Sequence, residues 1–177
     1  DDSAAGVNLT THIDQVVAFL AGLEDVVLVG HSYGGMVITG AADRAPDRVR
    51  SLIYLDAFVP QDGDNCWNLT NDDQRAWYVD VDETGFGTPP LPFFDARAKP
   101  HPLATFLQRI RLTGSPSRFR KRDYVYATKW GDASSPFTPT YLRLKDDPEW
   151  TVHTPDAAHN LMRDIPDELV RICLSHA

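Results

Sequence analysis

The chain has 177 residues, enough for one domain with a sizeable core. Its formal net charge of −8 and pI near 5.1 argue against nucleic acid or an anionic membrane surface as the main partner. No apolar run approaches the roughly 18 residues that a membrane-spanning helix needs. Cys66 and Cys173 are far apart and lack C-x-x-C spacing, so they are read as reduced thiols of a cytoplasmic protein.

Thr11 is the expected N-cap of a first helix, with Asp14 in its first turn and Ile13, Val16, Val17 and Leu20 on one stripe. Gly22 is its stop. A strand is expected over Val26–Val29, and a helix after it runs to about Ala45, where Pro46 ends it. Gly40, Ala41 and Ala42 would let that helix lie close to the sheet. A second buried strand, Leu52–Leu55, ends at Asp56. A helix between two such strands implies a right-handed parallel crossover.

From about 60 to 114 prolines and aromatics crowd together, among them Pro89, Pro90, Pro92, Phe93 and Phe94. This is too long for a plain loop in a compact domain. It is read as an insertion that caps the C-terminal edge of the sheet, with short helices near Thr70–Tyr78 and Pro102–Arg111. Strands near Asp123–Thr128 and Trp150–His153 resume the parallel pattern, and Pro166 opens a last helix to about Leu174. The basic run Arg118-Phe119-Arg120-Lys121-Arg122 is read as a solvated face or loop in so acidic a chain.

The chemistry concentrates in Gly30-His31-Ser32-Tyr33-Gly34-Gly35. A strand enters this run and a helix leaves it, which is the context of a nucleophile elbow. The sharp turn pushes Ser32 into a strained conformation and is expected to exclude a Cβ at Gly30 and Gly34. Ser32 would stand clear of the sheet at a helix N-terminus, where N–H groups favour a developing anion.

A serine hydroxyl needs an adjacent base. His159 fits best, on the loop after the last strand, because such loops gather at the edge where Ser32 stands. His12, His101, His153 and His176 fit worse, and His31 lies inside the elbow. Two aspartates compete to orient the imidazole. Asp56 ends the strand after the elbow, where a buried carboxylate must have a partner. Asp132 follows the third strand beside Gly131, where a turn role also fits. Both stay open, with Asp56 slightly favoured. There is no His-Glu-x-x-His, no ligand spacing and no dinucleotide fingerprint, so neither a metal nor a cofactor is expected.

Three segments in this order resemble the α/β-hydrolases: Val29–Met36 around the elbow, Tyr54-Leu55-Asp56-Ala57-Phe58-Val59-Pro60, and His159-Asn160-Leu161-Met162. The nearest subgroup is the small bacterial esterase-like members related to plant methylesterases and hydroxynitrile lyases. The resemblance implies an α/β-hydrolase fold, a parallel sheet with helices on both faces and a cap. It places the nucleophile on Ser32, the base on His159 and the acid on Asp132, with Asp56 as a variant position. Tyr33 N–H would help hold an oxyanion, with His31 beside it at the substrate end.

The implied reaction is hydrolysis of the carboxylic ester of a small, moderately apolar substrate through an acyl-enzyme. The alternatives are a hydroxynitrile-lyase-like enzyme or a binding homologue without turnover. A lyase needs a lysine near the site, and Lys129 is the only one expected there. Family members also carry several strands, a helix and a His-Gly-rich loop before the segment matched here, about 60 residues at typical element lengths. A preceding segment or separate fragment is therefore expected to complete the fold and supply the second oxyanion donor.

Overall fold

The first helix begins at Asn8, not Thr11. Asn8 is extended, and its side chain accepts from Thr11 N at 3.0 Å, while the Thr11 hydroxyl accepts from Asn8 N at 3.2 Å. Each side chain satisfies a backbone N–H of the other, so Thr11 sits three residues inside the helix it was expected to open. A computed structural model describes residues 4–92, 94–114, 118–119, 121–130 and 135–176.

In chain order the elements are α1 (Leu9–Leu20), β1 (Val26–His31), α2 (Gly34–Arg44), β2 (Val49–Leu55), α3 (Cys66–Leu69) and α4 (Asp72–Val79). There follow β3 (Gly87–Thr88), β4 (His101–Pro102), α5 (Leu103–Leu107), β5 (Arg122–Val125), α6 (Thr138–Leu144), β6 (Thr151–His153), α7 (Leu161–Asp164) and α8 (Pro166–Leu174). The expected strands and the last helix are present. Helix α5 is shorter than the expected 102–111. Helix α6 was not expected, because Pro139 reads as a breaker, yet it sits in the first turn where no N–H is needed.

Four strands form a parallel sheet in the order β1-β2-β5-β6. Alternation along the strands assigns the faces. Leu52, Tyr54 and Tyr124 pack with Leu20, Ile38, Ala41 and Ala42 from α1 and α2. Ile53, Leu55 and Val125 pack with Leu161, Leu169 and Ile172 from α7 and α8 on the other face. Ala41 and Ala42 do face the sheet, but Gly40 faces α1: a Cβ there would lie 2.3 Å from Ile13 Cδ1. Strand β1 lies at one end of the sheet, only partly buried, with Val29 42% exposed.

The insertion between β2 and β5 carries α3, α4, the antiparallel β3–β4 pair and α5. It packs Cys66, Tyr78, Phe106 and Ile110 onto Met36, Val37, Phe58 and Phe137. The expected loop holds as far as Lys121, with Arg118 and Lys121 exposed, but Phe119 and Arg122 are not solvated. Arg118 pairs with the buried Asp43, Phe119 is buried, and Arg122 is 5% exposed, pairs with Glu149 and lies over the Trp150 ring. Arginine tolerates such burial because its planar fork hydrogen-bonds while its faces stack on rings. Arg120 lies outside the described residues. Cys66 and Cys173 are both free, and no described helix is long and apolar enough to cross a membrane.

Candidate functional site

Ser32 has φ 56°, the left-handed region that a residue with a side chain avoids. Strand β2 and the loop after it over-determine it. Ser32 N donates to Leu55 O at 3.2 Å, and Phe58 N donates to Ser32 O at 3.2 Å. Asp56, the residue after β2, also has a positive φ of 42°. Register pairs His31 with Leu55, so Ser32 and Asp56 leave neighbouring strands at the same level.

The glycines divide differently from the motif's expectation. A Cβ on Gly30 would lie 2.8 Å from the Gly34 carbonyl, as expected of a crowded turn. A Cβ on Gly34 would meet nothing within 4 Å. Gly35 is the second obligatory glycine, because a Cβ there would lie 2.0 Å from Phe58 O. The crowding is thus between the start of α2 and the strand-end loop after β2, one residue later than the motif suggests.

His159 Nδ1 lies 2.7 Å from Asp56 Oδ2. A carboxylate only accepts, so Nδ1 carries the proton and Nε2 is left as a base. Asp56 has no exposed surface. Its oxygens also accept from Ala127 N and from Trp130 Nε1, each at 3.2 Å. Burial pushes its pKa up, opposed by His159, the Ala127 N–H and the Trp130 indole. Asp132 lies outside the described residues.

His31 Nε2 lies 2.8 Å from the carbonyl of His159 and must donate to it. Burial, with the neighbouring His159 imidazole, holds His31 down to about 4, so it is neutral near pH 7. Its other histidine contact is ring to ring, at 4.4 Å between centroids. The elbow thus grips the backbone of the loop that carries His159.

Ser32, Tyr33, His31 and His159 line one cavity of about 620 Å³. The insertion supplies its opposite wall, with Trp77, Tyr78, Phe94 and Phe106, while Trp130 and Phe137 flank His159. Tyr33 N–H, at the N-cap of α2, has no acceptor among the described residues. The Tyr33 side chain is held by His12 Nδ1 at 2.9 Å. Sequence reasoning missed His12 and Trp130, since neither lies in a motif; a histidine on the buried side of α1 was the signal available. Lys129 is paired with Asp156 at the surface, and the lysine that lines the cavity is Lys99. No group of side chains suited to a metal ion occurs among the described residues.

Comparison with known proteins agrees with this fold. A model described as the alpha/beta hydrolase family matches residues 1–174. A carbendazim hydrolyzing esterase from Nocardioides sp. (strain SG-4G) is 36% identical over 195 residues, covering 94% of this chain and 78% of that protein. Methylesterase 8 of Arabidopsis thaliana is 41% identical over 46 residues, 26% of this chain and 17% of that protein. Among solved structures, an extracellular alpha/beta-hydrolase from a Paenibacillus species superposes with a TM-score of 0.76 at 20% identity. It covers 100% of this chain and 82% of that one, and at this identity it speaks for the fold.

Proposed function

The chain belongs to the alpha/beta hydrolase family, and we propose that it is a serine esterase cleaving a carboxylic ester of a small, moderately apolar substrate. The esterase-named relatives support ester hydrolysis. The observation that carries the finer reading is the 2.7 Å bond from His159 Nδ1 to the buried Asp56, in a cavity shared with Ser32.

In this reading Ser32 Oγ attacks the ester carbonyl and His159 Nε2 takes its proton. Asp56 holds the imidazole in the correct tautomer and stabilises the imidazolium that forms. Tyr33 N–H donates to the oxyanion. His159 then protonates the leaving alcohol, and water, deprotonated by the same nitrogen, releases the acid from Ser32. His31 fixes the carbonyl of His159 and so positions the base.

A further segment belongs to the proposal. The outer edge of β1 carries no strand among the described residues, and its Val29 is exposed. An apolar unpaired edge recruits another strand. We assign that place to a segment of the same polypeptide or a separate fragment, which would also bring a second oxyanion N–H.

The test is covalent. A fluorophosphonate probe should add to Ser32, read by peptide mass, and Ser32→Ala should abolish both labelling and turnover of short p-nitrophenyl esters while the circular dichroism is unchanged. Activity above about a tenth in the alanine variant would overturn the assignment.

A further inference from the structure

His101 takes no part in the reaction described above, yet it lines the same cavity from the insertion. It sits on β4, opposite Thr88 of β3. Its ring stacks on Phe106 at 4.3 Å and meets Tyr33 edge-on at 4.7 Å. These contacts fix the imidazole plane between α5 and the elbow.

The hydrogen bonds fix its tautomer. His101 Nε2 lies 2.7 Å from Thr105 Oγ1, and Thr105 Oγ1 lies 2.8 Å from Pro102 O. A carbonyl can only accept, so the single hydroxyl proton of Thr105 is committed to Pro102. Thr105 can then only accept from His101, which places the imidazole proton on Nε2. Burial, with His12 nearby, holds His101 down to about 4, so the ring carries one proton and not two near pH 7. Nδ1 is left with its lone pair and accepts from none of the described residues.

Several other polar groups of the cavity wall are committed elsewhere. Thr88 Oγ1 donates to Tyr78 O, Asp95 is paired with Arg97, and His31 donates to the His159 carbonyl. A fixed acceptor set among aromatic rings selects strongly, because a ligand lacking its partner leaves it dry and unpaired.

We propose that His101 determines substrate specificity by presenting Nδ1 as a hydrogen-bond acceptor, so that the preferred substrate is an aromatic ester whose ring carries an N–H or O–H donor. This rests on the esterase reading for the word substrate; the recognition itself needs only the cavity.

The test separates the two. Dissociation constants are measured on the Ser32→Ala protein through the fluorescence of Trp77 and Trp130, using the methyl esters of 2-, 3- and 4-hydroxyphenylacetic acid and their methyl ethers. At least one phenol should bind about fivefold tighter than its ether, the worth of one net hydrogen bond. His101→Phe keeps the ring contacts and should bring that ratio below about twofold, with the ether's affinity changed less than about threefold. Thr105→Val frees the tautomer and should also lower the ratio, and it carries the test if His101→Phe does not fold. No preference in any isomer, or a preference that survives loss of His101, would overturn the proposal. Failed turnover by the Ser32 protein with the binding preference intact would overturn the esterase reading alone.

Discussion

His159 Nδ1 lies 2.7 Å from Oδ2 of Asp56, a carboxylate with no exposed surface at the tip of β2. The acid of the proposed triad is therefore on the strand beside the elbow strand, and Trp130, after β5, contributes an indole N–H to it.

Asp56→Asn should separate catalysis from stability. The amide has one oxygen, so it can accept from Ala127 or from Trp130 but not from both, and it no longer fixes the imidazole proton on Nδ1. Loss of the tautomer lowers kcat by about 10³-fold or more. Stability should change little, because relief of the charge whose burial raises the Asp56 pKa offsets the N–H left without an acceptor. Ester kinetics and urea melts at pH 7 measure both. Retention of more than a tenth of kcat would remove Asp56 from the acid's role.

Two adjacent glycines should behave oppositely. Gly35→Ala drives a Cβ to 2.0 Å from a backbone carbonyl and should abolish soluble expression or cost at least about 3 kcal/mol. Gly34→Ala meets open space at the first position of α2 and should be neutral or stabilising by up to about 1 kcal/mol. Equal destabilisation by the two would contradict the packing described here.

Stability should fall on mild acidification. His31 and His101 are each held down to about 4 from 6.5, by burial first and then by a neighbouring imidazole. Burial also lowers His12 and His176. In the unfolded chain these rings take up protons as pH drops through 6.5; in the folded chain they resist until a lower pH. The unfolded state therefore binds more protons, and stability is lost as pH falls from 6.5 toward 4. Between pH 7 and 5, His31 and His101 should each cost about 2 kcal/mol. Urea midpoints at the two pH values read the sum, and His101→Phe should shallow the dependence. Equal midpoints would refute it.

The framework was legible because it follows from local pattern. Val26–Val29 and Leu52–Leu55 are apolar runs of strand length, and Ser32 sits between a strand and a helix. The contact of Asp56 with His159 could not be read from spacing, since it depends on which strand β2 lies beside and on the reach of the His159 loop. The role of Gly35 was hidden for the same reason: its constraint is the Phe58 carbonyl, more than 20 residues away. His101 and His12 lie outside any motif, and only the tertiary approach of the insertion to α1 and the elbow gives them partners.

Backbone hydrogen bonds tie Ser32 to Leu55, the residue before Asp56, and to Phe58, two residues after it. In the proposed triad, nucleophile and acid are therefore spaced by the pitch of the sheet, and one cannot drift from the other unless the strands separate. The proposed base rides on a loop instead, tied by Thr128 Oγ1 to Pro155 O, by Lys129 N to Ala157 O and by Ala158 N to Asp164 Oδ2, with His31 and Asp56 gripping His159 itself. Wear in this machine falls on that loop. Gentle denaturant should silence turnover while the sheet still reads as intact by circular dichroism, and engineering for durability should begin at residues 154–160, leaving the strands untouched.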